Sequence, residues 1–266
     1  INKVVPATQL MAEAQKLGYA EADPTFDIEG NDAAHKLTIL SSLAFGVPLS
    51  YEQCYLEGIS QLQGEDIQYA SDLGYRVKLL GITRKTADGI ELRVHPTLIP
   101  AKRLMANVDG VMNAVIVHGD AVGSTMYYGA GAGSEPTASA VVADIMDISR
   151  LADASPSQRV PLFGFQPDAV QSARILPIDE VVTGFYLRLN AADQSGVLAH
   201  ITKTLADAGV SIDGMIQKEP DDGANSAPIA IITHPVQEKL INQAIIALEA
   251  SSSVVGAIVK LRVEML

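Results

Sequence analysis

The chain has 266 residues, enough for two modest domains, and its 48% hydrophobic and 19% charged content provides a sizeable core. A net charge of −12 argues against nucleic acid or an anionic membrane as partner, and no run of about eighteen apolar residues predicts a membrane span. The lone Cys54 excludes an internal disulfide framework and a metal site of several cysteines; the start, INKVVPATQL, lacks a signal-peptide apolar region, and a cytoplasmic setting fits.

Residues 6–17 predict a helix with Leu10, Met11, Ala14 and Leu17 on one face. Gly18 closes it, Pro24 breaks the run after Asp23, and residues 19–30 read as an acidic loop. Asn31 or Asp32 is expected to open the next helix as an N-cap. Asp32 and Lys36 are four residues apart, so they share a face. For any one carboxylate here, a solvated surface charge is the simpler account. Lys36 is different: the helix continues nearly free of charge from 37 to 46, and a lysine on a largely buried helix needs partners or its pKa falls. A lysine beside carboxylates, with restricted water, suits a polar substrate with which it exchanges a proton.

The spaced pattern Ala14, Gly18-Tyr19-Ala20-Glu21-Ala22-Asp23-Pro24-Thr25, Asp27-Ile28, Gly30, Asp32 and Lys36 resembles the signature of homoserine dehydrogenases. The resemblance implies that Glu21 binds the substrate's amino group and that Asp27 and Asp32 line the substrate site. It makes Lys36 the acid/base for the hydroxyl or carbonyl proton as hydride moves, with Asp32 helping to hold it in place.

Gly46-Val47-Pro48 stops the helix. Cys54 reads as a small buried hydrophobe, and Glu57 as a solvated charge or a local helix partner. A short helix over 65–73 ends at Gly74. Strands Tyr75–Arg84 and Ile90–Ile99 come next, joined by the hairpin signal Ala87-Asp88-Gly89. His95 reads as structural, and Pro96 predicts an edge strand or a strand end. Strands over 111–117 and 121–128 turn at His118-Gly119-Asp120. The pattern is α+β: an antiparallel or mixed sheet with covering helices.

Tyr128 to Ala140 runs from a strand through a glycine-rich turn into a helix with Pro136 in its first turn. Glycine alternation alone is a tight turn and lacks the spacing of a dinucleotide fingerprint. The block GAGAGSEPTASAVV nevertheless resembles a second motif of the same family, which implies that Gly131, Ala132 and Gly133 lie beside the nicotinamide end of the cofactor. Beyond it come a helix over 137–151 and a polar connector over 152–173, with a returning strand expected over 174–179.

From Thr183 the order is strand, helix, strand, strand, helix, strand, a ferredoxin-like βαββαβ unit. The segment from Asn190 to Ile201 resembles the first turn of ACT domains, with Ser195 in place of the usual proline. The resemblance implies an amino-acid effector near Asp193, Gly196 and Ser211, with L-threonine a candidate; dimer packing alone is an equal alternative. Its outer strands are expected to be free to pair across a two-fold axis. The domain boundary is placed near 180: residues 1–179 for substrate, catalysis and dimerisation, residues 180–266 for the ACT domain.

The resemblance runs from about residue 8 to the end, and the family's Rossmann domain has no counterpart here. The expectation is therefore the C-terminal portion of an enzyme of threonine, methionine and isoleucine biosynthesis. That enzyme reduces L-aspartate 4-semialdehyde to L-homoserine with NADPH or NADH, held mainly by the absent domain, and forms a homodimer or homotetramer. No metal is assigned, because the family's monovalent-cation site lies in that absent part. The alternative is a non-catalytic ACT-type sensor or assembly module, for which the Glu21–Lys36 constellation would have no use.

Overall fold

The computed structural model describes residues 25–155, 159–161, 164–219 and 225–266. The helix expected over 6–17, and Glu21, lie outside them. The acidic segment is not all loop: helix α1 (Thr25–Ile28) precedes helix α2 (Asn31–Phe45). A proline that ends one helix suits the start of the next. The N-cap of α2 is Gly30, not Asn31 or Asp32. Its left-handed φ of 81° makes the corner, and a Cβ there would sit 3.0 Å from Val94 Cγ1 and 3.1 Å from Leu56 Cδ1.

Next come β1 (Tyr55–Leu56), α3 (Gly64–Asp72), β2 (Tyr75–Lys85) and β3 (Ile90–Pro100). The β2–β3 hairpin is paired from Tyr75↔Pro100 to Lys85↔Ile90. Pro96 is not at an edge or a strand end. The second side of β3 is shared by two short parallel partners, β1 at Arg93–Val94 and β10 (Val254–Val263) at Thr97–Leu98. Pro96 falls in the gap between them, where no N–H is required.

β4 (Met112–Gly119) and β5 (Gly123–Ala130) form a separate two-stranded sheet that turns at residues 120–122, slightly later than expected. Helix α4 (Ser134–Leu151) comes next, with no buried residue. The strand expected over 174–179 shrinks to one bridge, Ile90↔Ile175, and a 3-10 turn, Ile178–Glu180.

The last module is β6 (Val182–Ala192), α5 (Val197–Asp207), β7 (Ile212–Gln217), β8 (Ser226–Thr233), the two-residue β9 (Val236–Gln237), α6 (Glu238–Glu249) and β10. The strand order β10-β6-β8-β7 is that of the ferredoxin-like unit. Residues such as Phe185, Leu187, Leu189, Ile229 and Ile231 meet Ile201, Leu205, Ile241 and Leu248 of α5 and α6 on one face. The opposite face, through Tyr186, Ala230 and Leu261, is covered by Tyr69 and Ala70 of α3. The sheet is continuous through β10 into β3. Among the described residues of this unit, β7 is therefore an open outer strand, while part of the other edge, at Arg262 and Val263, is used within the chain.

Among the described residues, no helix is long and apolar enough to cross a membrane.

Candidate functional site

The site is built on the α1–α2 corner. Helix α2 buries Ala34, Leu37, Thr38, Ser41 and Ser42, one helical stripe of small and apolar groups. Leu37 packs against Gly81 of β2, where a Cβ would lie 3.3 Å from its Cδ1, and Thr83 Oγ1 donates to Ser41 Oγ at 3.0 Å. The opposite face, with His35, Lys36, Ile39, Leu40 and Leu43, is exposed. Helix α2 is therefore not largely buried, because covering one face of one hairpin needs only one stripe. Lys36 is 69% exposed, and its Nζ is 2.5 Å from Asp32 Oδ2, itself 42% exposed.

Asp32 stands in the first turn of α2, where the helix dipole favours a carboxylate. Asp27 is exposed on α1. Among the described residues, no hydrogen bond or ion pair joins it to Asp32 or Lys36. The corner is braced by three rings: Phe26 stacks on His35 at 5.7 Å and His35 on Tyr51 at 4.2 Å, while Tyr51 Oη donates to Asn31 Oδ1 at 2.8 Å.

Among the described residues, Lys36 lines neither of two cavities. A cavity of about 390 Å³ lies between Gly46, Gly89 and Arg174. One of about 260 Å³ lies between Glu57, Asp66 and Lys260. The corner is an open shelf carrying a carboxylate–ammonium pair, suited to a polar substrate and an exchangeable proton.

Gly131, Ala132 and Gly133 lie between β5 and α4. A Cβ on Gly131 would collide with Asn113 Nδ2 at 2.6 Å, and nothing but Pro136 comes within 4 Å of one on Gly133. Gly133 caps α4 with φ 110° and no side-chain hydrogen bond, leaving first-turn N–H groups to offer, while Glu135 in that turn disfavours an anion. The set fits a neutral amide, such as that of a nicotinamide, better than a phosphate.

In the ACT unit, Gly196 caps α5 in a left-handed conformation and the Asp193 N–H bonds to Asn225 O at 3.0 Å. Ser211 O accepts the His234 N–H at 2.9 Å. The three expected effector residues do not converge. β8 runs from Ser226, beside Ala192, to Thr233, beside Ile212. Seven steps of about 3.3 Å thus put Ser211 roughly 20 Å from Asp193 and Gly196.

Sequence patterns miss Glu57. It is a partly buried ion-pair partner, 33% exposed, not a local helix partner: it accepts the Tyr55 hydroxyl and Arg262 Nη1, each at 2.7 Å. No local signal marks it, since its partner is 205 positions away. His95 is wholly buried. Arg93 Nη1 lies 2.7 Å from its Nε2. An arginine only donates, so Nε2 accepts and the proton sits on Nδ1. Burial, then the charges of Arg262 and Arg93, push its pKa well below 6.5. Burial pushes the Cys54 thiol up to about 11, which keeps it protonated. Among the described residues, no group of three His, Cys, Asp or Glu side chains is placed to hold a metal.

A family model described as homoserine dehydrogenase matches residues 2–146, and one described as ACT domain matches residues 185–250. Homoserine dehydrogenases of Pseudomonas aeruginosa and Neisseria gonorrhoeae are 57% and 60% identical to it over 257 residues, 97% of this chain and 59% of theirs. The crystal structure of a homoserine dehydrogenase from Thiobacillus denitrificans matches with a TM-score of 0.89 at 59% identity, over 97% of this chain and 58% of that one. The chain thus spans less than two thirds of the length of these relatives. It belongs to the homoserine dehydrogenase family, with an ACT domain in its C-terminal part.

Proposed function

We propose that this chain is the substrate and regulatory portion of an NAD(P)-dependent homoserine dehydrogenase that interconverts L-aspartate 4-semialdehyde and L-homoserine. The observation that carries the reading is the Lys36–Asp32 pair, displayed on an open shelf inside the matched family region. In the reductive direction the carbonyl carbon gains a hydride, which NADPH or NADH supplies when bound. Lys36 gives its proton to the carbonyl oxygen and regains one from solvent; in reverse it takes the hydroxyl proton. Asp32 keeps the ammonium charged and aimed until the proton moves. Asp27 and Glu21 hold the substrate's amino group, as opposite charges at hydrogen-bond range do. Gly131, Ala132 and Gly133 accept the carboxamide end of the cofactor at the α4 N-terminus, the rest being held by chain beyond this portion.

Residues 1–179 form the substrate and dimerisation unit and residues 180–266 the ACT unit of a cytoplasmic homodimer or homotetramer. The apolar face of α4, with Val141, Val142, Ile145 and Ile148 exposed, supplies the surface for a second copy. Because Asp193 and Gly196 lie far from Ser211, an amino-acid effector such as L-threonine would bridge two ACT units.

Lys36→Ala in the whole enzyme is expected to lower kcat by about a hundred- to ten-thousand-fold with the melting temperature unchanged. Turnover near that of the wild type would overturn the role. It would favour instead an ACT-type sensor or assembly module without catalysis.

A further inference from the structure

One buried guanidinium joins the ACT helix to the substrate corner. Arg262 of β10 is 0% exposed. Its Nε and Nη2 donate to Glu238 of α6 at 2.8 and 2.5 Å, and its Nη1 donates to Glu57 at 2.7 Å. It also lies over the Tyr55 ring, 4.7 Å from its centre, and the Tyr55 hydroxyl closes back on Glu57. The Glu57 N–H is fixed to Val94 O at 2.9 Å. The next two residues run against the end of α1. A Cβ on Gly58 would lie 2.5 Å from Glu29 Oε2, 2.7 Å from Glu29 Cα and 2.7 Å from Ile28 O. The Ile59 N–H donates to that same Ile28 carbonyl at 2.9 Å. Ile28 is the direct neighbour of Asp27.

We propose that Arg262 and Glu57 are positioning residues for the substrate site. They hold the 57–59 strap, which in turn fixes the Asp27-bearing end of α1, so the position of ACT helix α6 is felt at the substrate's amino group. The inference rests on the reading of Asp27 as a substrate-site residue. Its physical content is a run of short, directional contacts with no flexible link longer than one residue. Glu57 is the point to cut, because Arg262 then keeps both bonds to Glu238 and no buried charge is stranded.

The test is steady-state kinetics of the whole enzyme, cofactor domain included. Glu57→Ala is expected to raise the homoserine KM by about three- to thirty-fold with kcat moved less than about twofold, the range of coupling along packed contacts. Glu57→Gln keeps an acceptor for Tyr55 and Arg262 and is expected to recover most of the loss. Gly58→Ala pushes the strap from Glu29 without removing a charge and is expected to raise KM in the same way. Adding Glu57→Ala to Asp27→Asn is expected to raise KM no further. If Asp27→Asn raises KM while Glu57→Ala and Gly58→Ala do not, the proposal fails and the reading of the site survives. If Asp27→Asn leaves KM unchanged, that reading fails, and the proposal with it. If Glu57→Ala lowers kcat and the melting temperature together, without rescue by Gln, Glu57 is only a structural support and the proposal is overturned.

Discussion

Two regions of this molecule treat their side chains in opposite ways. Where β3 meets β10, even the charged groups are sealed: Arg93 is 1% exposed and Arg262 0%. Arg93 binds Glu91 and Glu264, and Arg262 binds Glu238 and Glu57. In the β4–β5 hairpin and α4 the reverse holds. Eighteen helical residues bury nothing, and Val117, Tyr127, Ile145 and Ile148 face outward. Both regions have regular local patterns. The first has received partner strands from within the chain, and the second leaves an apolar face exposed.

Disrupting the sealed region should cost the most. Arg262→Ala removes two of the hydrogen bonds that buried Glu238 accepts and leaves it Lys260 alone, and is expected to cost about 3–5 kcal/mol of unfolding free energy in urea titration. A loss below about 1 kcal/mol, the range of exposed pairs, would show that water reaches the junction. Next in size is acid sensitivity. The folded pKa of His95 lies well below its ordinary 6.5, so below pH 6.5 the unfolded chain takes up a proton that the folded chain refuses. Stability falls on the order of 1 kcal/mol per pH unit until the folded value is reached. Burial would raise Glu238, but the hydrogen bonds and charges of Arg262 and Lys260 outweigh it and hold the carboxyl below 4.5. Its contribution is complete above pH 4.5 and is lost as pH falls through the folded value, a second and lower limb. His95→Gln should remove the first limb and spare the second. An unchanged drop below pH 6.5 in thermal melts would assign it elsewhere.

The open region should respond least in stability and most in assembly. Ile145→Asp on the exposed face of α4 should change the unfolding free energy of the single chain by no more than about 0.5 kcal/mol. It should nevertheless abolish self-association in light-scattering measurements. A dimer that survives would move the interface off α4.

The legible part of the site was its residue types and their spacing. Asp32 and Lys36 meet because four residues complete one turn, a local consequence of helix geometry. The exposure of Lys36 was not legible: an apolar run reads as buried, and only the hairpin beneath shows that α2 needs one stripe. Gly30 as the cap, instead of Asn31 or Asp32, answers to Val94 and Leu56 pressing on the corner. Pro96 read as an edge residue because a proline lacks an N–H; two partners that stop on either side of it leave the same freedom in mid-sheet.

Sequence alone was enough to set the succession of elements in residues 64–100 and, apart from the two-residue β9, in residues 182–263, and the family. Helical and two-residue periods, hairpin signals and glycine stops act over a few residues, and the family motif is a fixed local spacing. Tertiary packing was needed to set which polar groups are buried and which residues share a place. Glu57 and Arg262 are 205 positions apart and lie 2.7 Å apart in space, whereas Asp193 and Ser211, close in sequence, lie at opposite ends of a strand. Burial and charge pairing depend on which distant strand arrives alongside, and no local pattern encodes that arrival.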